Sequence, residues 1–197
     1  MTAKRLLDFI ASSIGLLLLT PFFAIISVLI KLDSSGPIFF RQPRVGVGFR
    51  LFRIFKFRTM VTDAEKLGAQ VSTGDDPRIT RVGGLLRKYK IDELPQLINV
   101  ITGDMSLVGP RPEVPRYVEV FRNEYEDILT IKPGITDFAS LEFKDENELL
   151  KASENPEEKY LKEILPAKIE YYRKYLHEQS LVTDIKLILK TLWEVIR

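Results

Sequence analysis

The sequence has no cysteine and only one histidine among its 197 residues. The absence of cysteine excludes disulfide bonds, thiolate catalysis and cysteine-ligated zinc or iron–sulfur sites, and it leaves the redox compartment undetermined. The single histidine, His177, lies in a charged amphipathic segment typical of a surface helix, which argues against histidine triads and multi-histidine metal sites. The formal net charge is only +2, so bulk charge gives no argument for nucleic-acid binding.

The composition predicts one folded domain with an appendage. Apolar residues make up 45% of the chain and charged residues 28%, which is sufficient for a core and argues against disorder. Charge is unevenly distributed. Basic residues crowd residues 41–58, whereas Asp and Glu concentrate after residue 112.

A long apolar run occupies residues 9–30 and contains no charged residue. Its length is about that required for a helix to cross a bilayer. Lys4 and Arg5 precede the run and Lys31 follows it. A cleavable signal peptide fits poorly, because the run is too long and no small-x-small cleavage site follows. A buried soluble helix is the weaker alternative for a run this apolar.

Thr20-Pro21 lies in the middle of this run and predicts a break in the helix, because proline removes one backbone hydrogen bond. Two topologies are compatible with that break. One is a kinked spanning helix, and the other is a re-entrant pair of half-helices that enters and leaves by the same face. Basic residues at both ends favour the re-entrant form, but the residues alone leave both open.

The soluble part begins with a predicted β-hairpin. Residues 38–40 and 51–58 have strand patterns, and the link between them contains Gly46 and Gly48. Residues 51–58 alternate apolar with basic side chains, so one face is expected to be aromatic and the other cationic. Such a face suits either an edge hairpin protected by charge or a surface for phosphate or lipid headgroups.

The remaining pattern is mainly helical. Predicted elements are a short helix at 62–67, a loop at 72–77, a basic helix at 80–90 broken by its two glycines, a rigid loop at 103–115, a helix at 115–129, a turn at 132–136, and amphipathic helices at about 157–179 and 181–197. The last helix has an apolar stripe that fits either a core or a membrane surface.

An adjacent acidic pair, Asp92-Glu93, stands just before a short apolar helix signal that starts at Pro95. Carboxylates at a helix start lie near unpaired N–H groups and the positive end of the helix dipole. That environment is expected to keep them ionised, as a nucleophile or a metal ligand requires. Simple N-capping is the alternative, and the pair alone favours it.

Several cations are candidate partners for a phosphate near this pair. Arg111 stands between Pro110 and Pro112, whose fixed φ angles present the guanidinium from a stiff loop. The other candidates are Lys56 and Arg58, two apart on a strand, and Arg87, about one helical turn before Asp92. For each cation taken singly, pairing with a nearby acid is the simpler explanation.

Five motifs in a fixed order decide between these alternatives. They are KFRTM (56–60), DPRIT (76–80), IDELPQL (91–97), GDMSLVGPRP (103–112) and KPGIT (132–136). This ordered set resembles the bacterial sugar transferase family, the small monotopic polyprenyl-phosphate phosphoglycosyl transferases. The resemblance covers nearly the whole chain, which looks like the minimal catalytic form.

The resemblance implies an α+β, mostly helical fold. It implies a re-entrant membrane helix with a proline break over residues 1–32 and a cytosolic, membrane-associated catalytic domain over residues 33–197. Family members have a Ser-Pro pair at the break where this chain has Thr20-Pro21, a conservative departure. The implied location is the cytoplasmic face of the bacterial inner membrane.

The resemblance also implies a reaction. Family members transfer a sugar 1-phosphate from a nucleoside diphosphate sugar, commonly a UDP-sugar, to polyprenyl phosphate, usually undecaprenyl phosphate, and release UMP. Such a transfer is the first membrane step of glycan assembly. Mg²⁺ is the implied cofactor. Bilayer lipid is an implied partner, nucleic acid is not, and a homodimer is left open.

Residue roles carry over by motif. The resemblance implies that Asp92 is the nucleophile of a covalent phosphosugar intermediate and that Glu93 assists in metal binding or proton handling, with Mg²⁺ at the pair. It implies that Lys56, Arg58, Arg87 and Arg111 contact phosphate and that Pro110 and Pro112 hold the loop in shape. Asp184 matches the family's C-terminal Asp, although helix capping explains that residue equally well.

One segment departs from the family pattern. Many members continue after the KPGIT motif with Gly-Trp-Ala-Gln-Val and an Asn-Gly-Arg-Asn stretch, whereas this chain has DFASLEFKDE at 137–146. The segment either shapes the sugar pocket, so that the donor sugar differs from that of well-known members, or belongs to a surface loop.

Two hypotheses outside the family are an anchored module that binds anionic lipid through the cationic hairpin and, less favoured, a nucleic-acid-binding hairpin.

Overall fold

The structure is a computed structural model and describes residues 3–64 and 76–196. The predicted mostly helical α+β fold is confirmed. The helices are α1 Ala3–Asp33, α2 Arg81–Lys88, α3 Gln96–Thr102, α4 Pro115–Val120, α5 Arg122–Ile128, α6 Phe138–Glu142, α7 Glu146–Lys151, α8 Pro156–Lys159, α9 Leu165–Glu178 and α10 Leu181–Ile196. The strands are β1 Phe39–Phe40, β2 Pro43–Val45, β3 Leu51–Arg53, β4 Lys56–Phe57, β5 Ser106–Val108 and β6 Gly134–Thr136. The predicted helix at 62–67 and loop at 72–77 extend into residues 65–75, outside the described residues.

The predicted β-hairpin is confirmed as two antiparallel pairs in one register. Strand β1 pairs with β4 and β2 pairs with β3, so that Phe40 lies opposite Lys56 and Val45 opposite Leu51. The N–H of Ile54 donates to the carbonyl of Gln42 at 3.1 Å, which carries the same register across the gap between the pairs. The hairpin thereby delivers the side chain of Lys56 to the body of the protein.

A second, parallel pairing was not predicted. Strand β5 pairs with β6, with Ser106 opposite Gly134 and Val108 opposite Thr136. The sequence pattern had suggested a rigid loop and a turn here. Strands of three residues are too short to show an alternation of apolar and polar side chains. The parallel pair fixes the start of the loop that carries Arg111.

Helix α1 runs without interruption through Thr20-Pro21, where the sequence pattern predicted a break between two half-helices. Proline keeps a helical φ angle and costs the helix one hydrogen bond, so a helix can continue through it. The Thr20 hydroxyl donates to the carbonyl of Leu16 at 2.8 Å. The apolar face of α1 is exposed, with Leu17 and Leu18 more than 70% accessible. Only 11% of its most apolar 18-residue window is buried, which argues against the core helix of a soluble protein.

The first turns of α1 are attached to the body by polar contacts. The ammonium of Lys4 donates to the carboxylate of Asp184 at 2.6 Å and to the carbonyl of Val108 at 3.0 Å. The buried carboxylate of Asp8 accepts from the hydroxyl of Ser106 at 2.8 Å. These contacts join the N-terminal end of α1 to α10 and β5.

The last turn of α1 is attached to the same body. The carboxylate of Asp33 accepts from the backbone N–H of Val82 in α2 at 2.9 Å. The guanidinium of Arg58 donates to the carbonyls of Ser34, at 2.8 Å, and Ser35. Ser34 and Ser35 directly follow the last residue of α1, so Arg58 fixes the chain where it leaves the helix.

Helix α2 is not broken at Gly83-Gly84, so that prediction was wrong. The helix begins after Thr80, whose side chain accepts from the N–H of Gly83 at 3.0 Å. A Cβ atom at Gly83 would lie 2.1 Å from the carbonyl oxygen of Thr59. The glycine therefore permits close packing of α2 on the chain after β4 rather than ending the helix.

The main core lies between α4, α5, α9 and the tip of the hairpin, and its largest buried side chains are tyrosines. Tyr125 and Tyr172 are fully enclosed, and Tyr117 packs against Tyr160. A π-helical turn at Tyr160–Ile164 joins α8 to α9 in one continuous rod. The two predicted C-terminal helices are confirmed, whereas α6 and α7 were not predicted.

Candidate active site

The acidic pair lies in a 3₁₀ turn, Ile91–Glu93, between α2 and α3. The residue before the turn, Lys90, has a left-handed backbone with φ of 52°. Pro95 then precedes the first residue of α3, which confirms the predicted helix start. The tight turn directs both carboxylates into a cavity of about 340 Å³ between the hairpin, α2 and α9.

Glu93 is held by two cations from different parts of the chain. Its carboxylate accepts from both terminal nitrogens of Arg111, one of them at 2.9 Å, and from the ammonium of Lys56 at 2.7 Å. Burial alone raises the pKa of Glu93, but Arg111 and Lys56 outweigh it and hold that pKa well below its usual range. Glu93 is therefore ionised and fully engaged.

Asp92 has a different environment, although it is the next residue. Its side chain is buried, with 8% of the residue exposed, and within residues 3–64 and 76–196 it makes no hydrogen bond or ion pair. Burial raises the pKa of Asp92 to about 6, while Lys56, Arg87 and Arg111 oppose that shift. The pKa of Asp92 is thus shifted in the opposite direction to that of Glu93, although a value of about 6 still leaves this carboxyl mostly ionised at neutral pH. Burial without a direct partner outweighs the nearby positive charge.

The loop that carries Arg111 is stiff, as its two flanking prolines predicted. The backbone N–H of Arg111 donates to the buried carboxylate of Asp137 at 3.1 Å. A Cβ atom at Gly109 would lie 2.4 Å from the carbonyl oxygen of Lys132, so the loop packs backbone to backbone against the chain before β6. Arg111 is thus fixed at both its backbone and its guanidinium.

Two further cations line the cavity near Asp92. Arg87 donates from Nε to the hydroxyl of Thr59 at 2.9 Å, and its charge acts on Asp92. Lys90 was not predicted from the sequence, and it faces the same cavity as Arg111. Its only sequence signal was its position two residues before Asp92. The cavity therefore combines one unpaired carboxylate with several cations.

Two of the predicted substrate-binding residues lie elsewhere. Arg58 binds the end of α1 and does not line the cavity. Asp184 is buried in α10, where it accepts from Lys4 and from the hydroxyl of Tyr175 at 2.6 Å. Its carboxylate thus serves as an attachment point for α1 rather than as a helix cap.

The divergent segment at 137–146 forms a wall of the cavity, so the interpretation as a surface loop was wrong. Asp137 caps α6 by accepting from the N–H of Ser140 at 2.6 Å. Ser140, Phe143 and Glu146 face the cavity from this segment. The opposite wall includes residues that no local motif indicated, because distant elements bring them together: Arg44, Glu113, Tyr117, Tyr160, Lys168 and Tyr172.

A magnesium ion in this cavity would need ligands in addition to the protein side chains. In residues 3–64 and 76–196 no group of three or more acidic or histidine side chains could form a cage from protein alone. Glu93 is occupied by Arg111 and Lys56, which leaves Asp92 as the accessible carboxylate. Mg²⁺ commonly binds through one or two carboxylates, water and substrate phosphate oxygens.

Comparison with known proteins gives a match over the full length of the chain. The model of the bacterial sugar transferase family matches residues 1–197. The UDP-N-acetylgalactosamine-undecaprenyl-phosphate N-acetylgalactosaminephosphotransferase of Aeromonas hydrophila is 47% identical over 141 residues, which cover 70% of this chain and 33% of that protein. The UDP-glucose:undecaprenyl-phosphate glucose-1-phosphate transferase of Escherichia coli (strain K12) is 36% identical over 97% of this chain and 39% of its own length.

A third relative is closer to this chain in length. The UDP-glucose:undecaprenyl-phosphate glucose-1-phosphate transferase of Caulobacter vibrioides (strain ATCC 19089 / CIP 103742 / CB 15) is 38% identical over 95% of this chain and 67% of that protein. The chain spans well under half the length of the Aeromonas and Escherichia proteins. The names of all three share undecaprenyl phosphate, and two of them name glucose whereas the Aeromonas protein's name gives N-acetylgalactosamine.

Proposed function

This chain belongs to the bacterial sugar transferase family, and on that premise we propose that it transfers a sugar 1-phosphate from a UDP-sugar to undecaprenyl phosphate and releases UMP. The relatives' names supply the acceptor and the type of group transferred. The observation that carries the proposal is the buried, unpaired carboxylate of Asp92 beside a carboxylate that two cations hold.

The proposed chemistry has two displacement steps at one phosphorus atom. In the first, an oxygen of Asp92 attacks the sugar-linked phosphorus, the bond from phosphorus to the bridging oxygen breaks, and UMP leaves with the electron pair. In the second, an oxygen of undecaprenyl phosphate attacks the same phosphorus and the aspartyl–phosphorus bond breaks. The carboxylate is restored without net proton transfer, so one site serves a soluble donor and then a lipid acceptor.

The cations make this approach of anions feasible. A carboxylate and a diphosphate repel each other strongly in a site with little water. Lys56, Arg87 and Arg111 line the cavity around Asp92 and offset that repulsion. Glu93 keeps Lys56 and Arg111 side by side, so these cations stay near Asp92 without bonding to it. We assign Glu93 to positioning them.

Magnesium fits as a further part of the proposal. Asp92 and the substrate phosphates would hold the ion, and Glu93 is a ligand only if it exchanges one of its cations. A bound Mg²⁺ supplies additional positive charge for the phosphate oxygens.

A monotopic attachment to the cytoplasmic face of the inner membrane is the proposed location. Helix α1 is long and apolar enough to cross a bilayer. However, Lys4 at its start and Asp33 at its end both bond to the same body. Attachment of both ends to one body supports an arrangement in which both ends of α1 lie on the same side of the membrane.

Intact-protein mass spectrometry tests the covalent step. Purified protein with Mg²⁺ and a panel of UDP-sugars, without lipid acceptor, is expected to gain the mass of one phosphosugar. Asp92→Asn should gain none, whereas Asp104→Asn, a change at an exposed aspartate outside the cavity, should behave as the unmodified chain.

Two other outcomes are informative. Release of UMP on addition of undecaprenyl phosphate, without any adduct, would replace the covalent route by direct transfer. Absence of both adduct and UMP with every donor would overturn the proposed reaction and favour a lipid-binding module.

A further inference from the structure

The cavity has a second end beyond Arg111 that the proposed displacement steps do not use. We name this end the inner subsite. Helices α6 and α7 form one wall of it, and the π-helical turn and α9 form the other. Its residues are Ser140, Phe143, Glu146, Tyr160, Lys168 and Tyr172.

Tyr172 brings a buried hydroxyl without a hydrogen-bond partner to the inner subsite, in the part of the chain that the structure describes. It is fully buried and lines the cavity. Burial raises the pKa of Tyr172 well above its usual range, so the hydroxyl keeps its proton. Buried hydroxyl groups in folded proteins almost always have partners. A polar group of a bound ligand is a suitable partner here.

The inner subsite also contains a buried ion pair with unused hydrogen-bonding capacity. The ammonium of Lys168 pairs with the carboxylate of Glu146 and lies 5.1 Å from the ring centre of Tyr160. Lys168 is buried, and this ion pair is its only polar contact within residues 3–64 and 76–196. An ammonium has three N–H donors and a carboxylate has two acceptor oxygens, so the pair still offers both.

Charge separates the two ends of the cavity. Near Asp92 the cations outnumber the carboxylates, which suits a diphosphate. In the inner subsite Lys168 and Glu146 form an ion pair, and Arg44 faces Glu113 at 3.7 Å. Lys90 lies between the two ends, because Glu93, Glu146 and Lys168 all act on its pKa. Paired charges that offer both donors and acceptors, with the ring of Phe143 beside them, suit a neutral polyhydroxylated ring better than a phosphate.

The sequence of the two displacement steps indicates which neutral part of the donor lies in the inner subsite. In the proposed mechanism the nucleotide leaves and the lipid phosphate takes its place, whereas the sugar stays bound through its phosphorus. The inner subsite has strongly buried lining residues, with Tyr160, Lys168 and Tyr172 at most 5% exposed, so it suits the part that is retained. The end near Asp92 must be open to exchange.

We propose that the inner subsite binds the sugar of the donor, and that the Tyr172 hydroxyl and the Lys168–Glu146 pair discriminate between sugars. This inference rests on the proposed function. It assigns a specificity role to the wall formed by residues 137–146, where the chain departs from the family pattern.

A pair of matched tyrosine variants tests the inference. Tyr172→Phe and Tyr125→Phe each remove one hydroxyl that is buried and unpartnered in the described residues, but Tyr125 does not line the cavity. UMP release with undecaprenyl phosphate is measured for UDP-glucose, UDP-galactose, UDP-N-acetylglucosamine and UDP-N-acetylgalactosamine, and for TDP-glucose.

For Tyr172→Phe we expect kcat/KM for the preferred UDP-sugar to fall by roughly tenfold, the effect of one lost hydrogen bond. The ratio of that value to the values for the other UDP-sugars should shrink, and the ratio of UDP-glucose to TDP-glucose should not change. Tyr125→Phe should leave all of these values unchanged, and both variants should keep the melting temperature of the unmodified chain. Glu146→Gln is expected to shift the sugar ratios as well.

The inference fails in three ways. An equal fall for every UDP-sugar would show that Tyr172 does not select the sugar, and a changed ratio of UDP-glucose to TDP-glucose would assign the subsite to the nucleoside. Lost activity in both tyrosine variants with a lower melting temperature would show a structural role. Each of these results requires an active unmodified chain, whereas inactivity of that chain with every donor would instead refute the proposed function.

Discussion

At the scale of single residues, the acidic pair shows how adjacent carboxylates acquire different properties. Glu93 accepts hydrogen bonds from Lys56 and Arg111, which neutralise it, whereas Asp92 is buried and has no partner among the residues that the structure describes. A carboxylate bonded to two cations is a poor nucleophile because its lone pairs are occupied. Asp92 keeps its lone pairs accessible and still lies within the field of the cations that Glu93 holds.

The raised pKa of Asp92 predicts that Asp92→Asn stabilises the protein. The carboxyl has a pKa of about 6 in the fold and 3.8 as the ordinary value. Its ionisation therefore opposes folding, and the penalty grows as pH rises from about 4 to 6 and is complete above that. We expect Asn to increase the free energy of unfolding by about 1–3 kcal/mol at pH 7.5, and by less than half as much at pH 4.

Thermal unfolding in parallel at the two pH values checks this, with Asp104→Asn as the exposed control. A loss of stability at pH 7.5, or an equal gain at both pH values, would contradict the burial of an unpaired carboxylate.

The order of motifs identified several side chains that meet in the cavity but not their electrostatics. Asp92, Glu93, Lys56 and Arg111 do meet in one cavity. The difference between the two acids depends on which side chains bury them, and that is a property of the packed fold. Tyr172 could not be predicted for the same reason, because helix α9 packs it beside the cavity from a remote part of the chain.

At the scale of elements, the alternation of side chains between the two faces of a strand predicts little when the strand is short. Lys56 and Arg58 were expected on one face because they are two apart on a strand. Strand β4 ends at Phe57, so the alternation does not reach Arg58, whose side chain turns to the end of α1. The long periodic elements α1, α9 and α10 were predicted. The parallel pair β5–β6 and the short helices α6 and α7 were not, because each is too short to show a period.

The position of Arg58 predicts a structural effect for Arg58→Lys. The guanidinium donates to Ser34 and Ser35 through separate nitrogen atoms, and a single ammonium cannot reproduce that fork. We expect a loss of about 1–3 kcal/mol in the free energy of unfolding, with the KM for the sugar donor changed by less than about twofold, since the KM reflects contacts that Arg58 does not make.

Chemical denaturation and UMP-release kinetics measure the two quantities. Arg53→Lys, a change at an exposed arginine of β3, is the control and should alter neither. A higher KM with unchanged stability would restore Arg58 as a phosphate contact.

At the scale of the whole molecule, apolar surface and polar attachment lie on opposite sides of α1. Leu17, Leu18 and Leu32 are more than 70% exposed, while Asp8 and Ser12 on the other side are buried against the body. Helix α10 likewise exposes Leu189 and Trp193. Exposed apolar surface of this extent marks contact with a membrane or a partner. The polar attachment fixes how far the catalytic cavity lies from that surface.

Because both ends of α1 are attached to the body, we predict that both ends lie on the same side of the membrane as the body. The chain has no cysteine, so single introduced cysteines can test this directly. Single substitutions Ala3→Cys and Ser35→Cys place thiols at exposed positions at the two ends of the helix, and Glu126→Cys reports the position of the body. A helix of this length extends about 46 Å, so a spanning arrangement would separate its ends across the bilayer.

In inverted membrane vesicles, a membrane-impermeant maleimide should label all three variants. In intact spheroplasts it should label none of them until detergent is added. Labelling of Ala3→Cys from the side opposite to Glu126→Cys would establish a spanning helix instead. That result would also require Lys4 to leave Asp184, because an ion pair at 2.6 Å cannot persist across a bilayer.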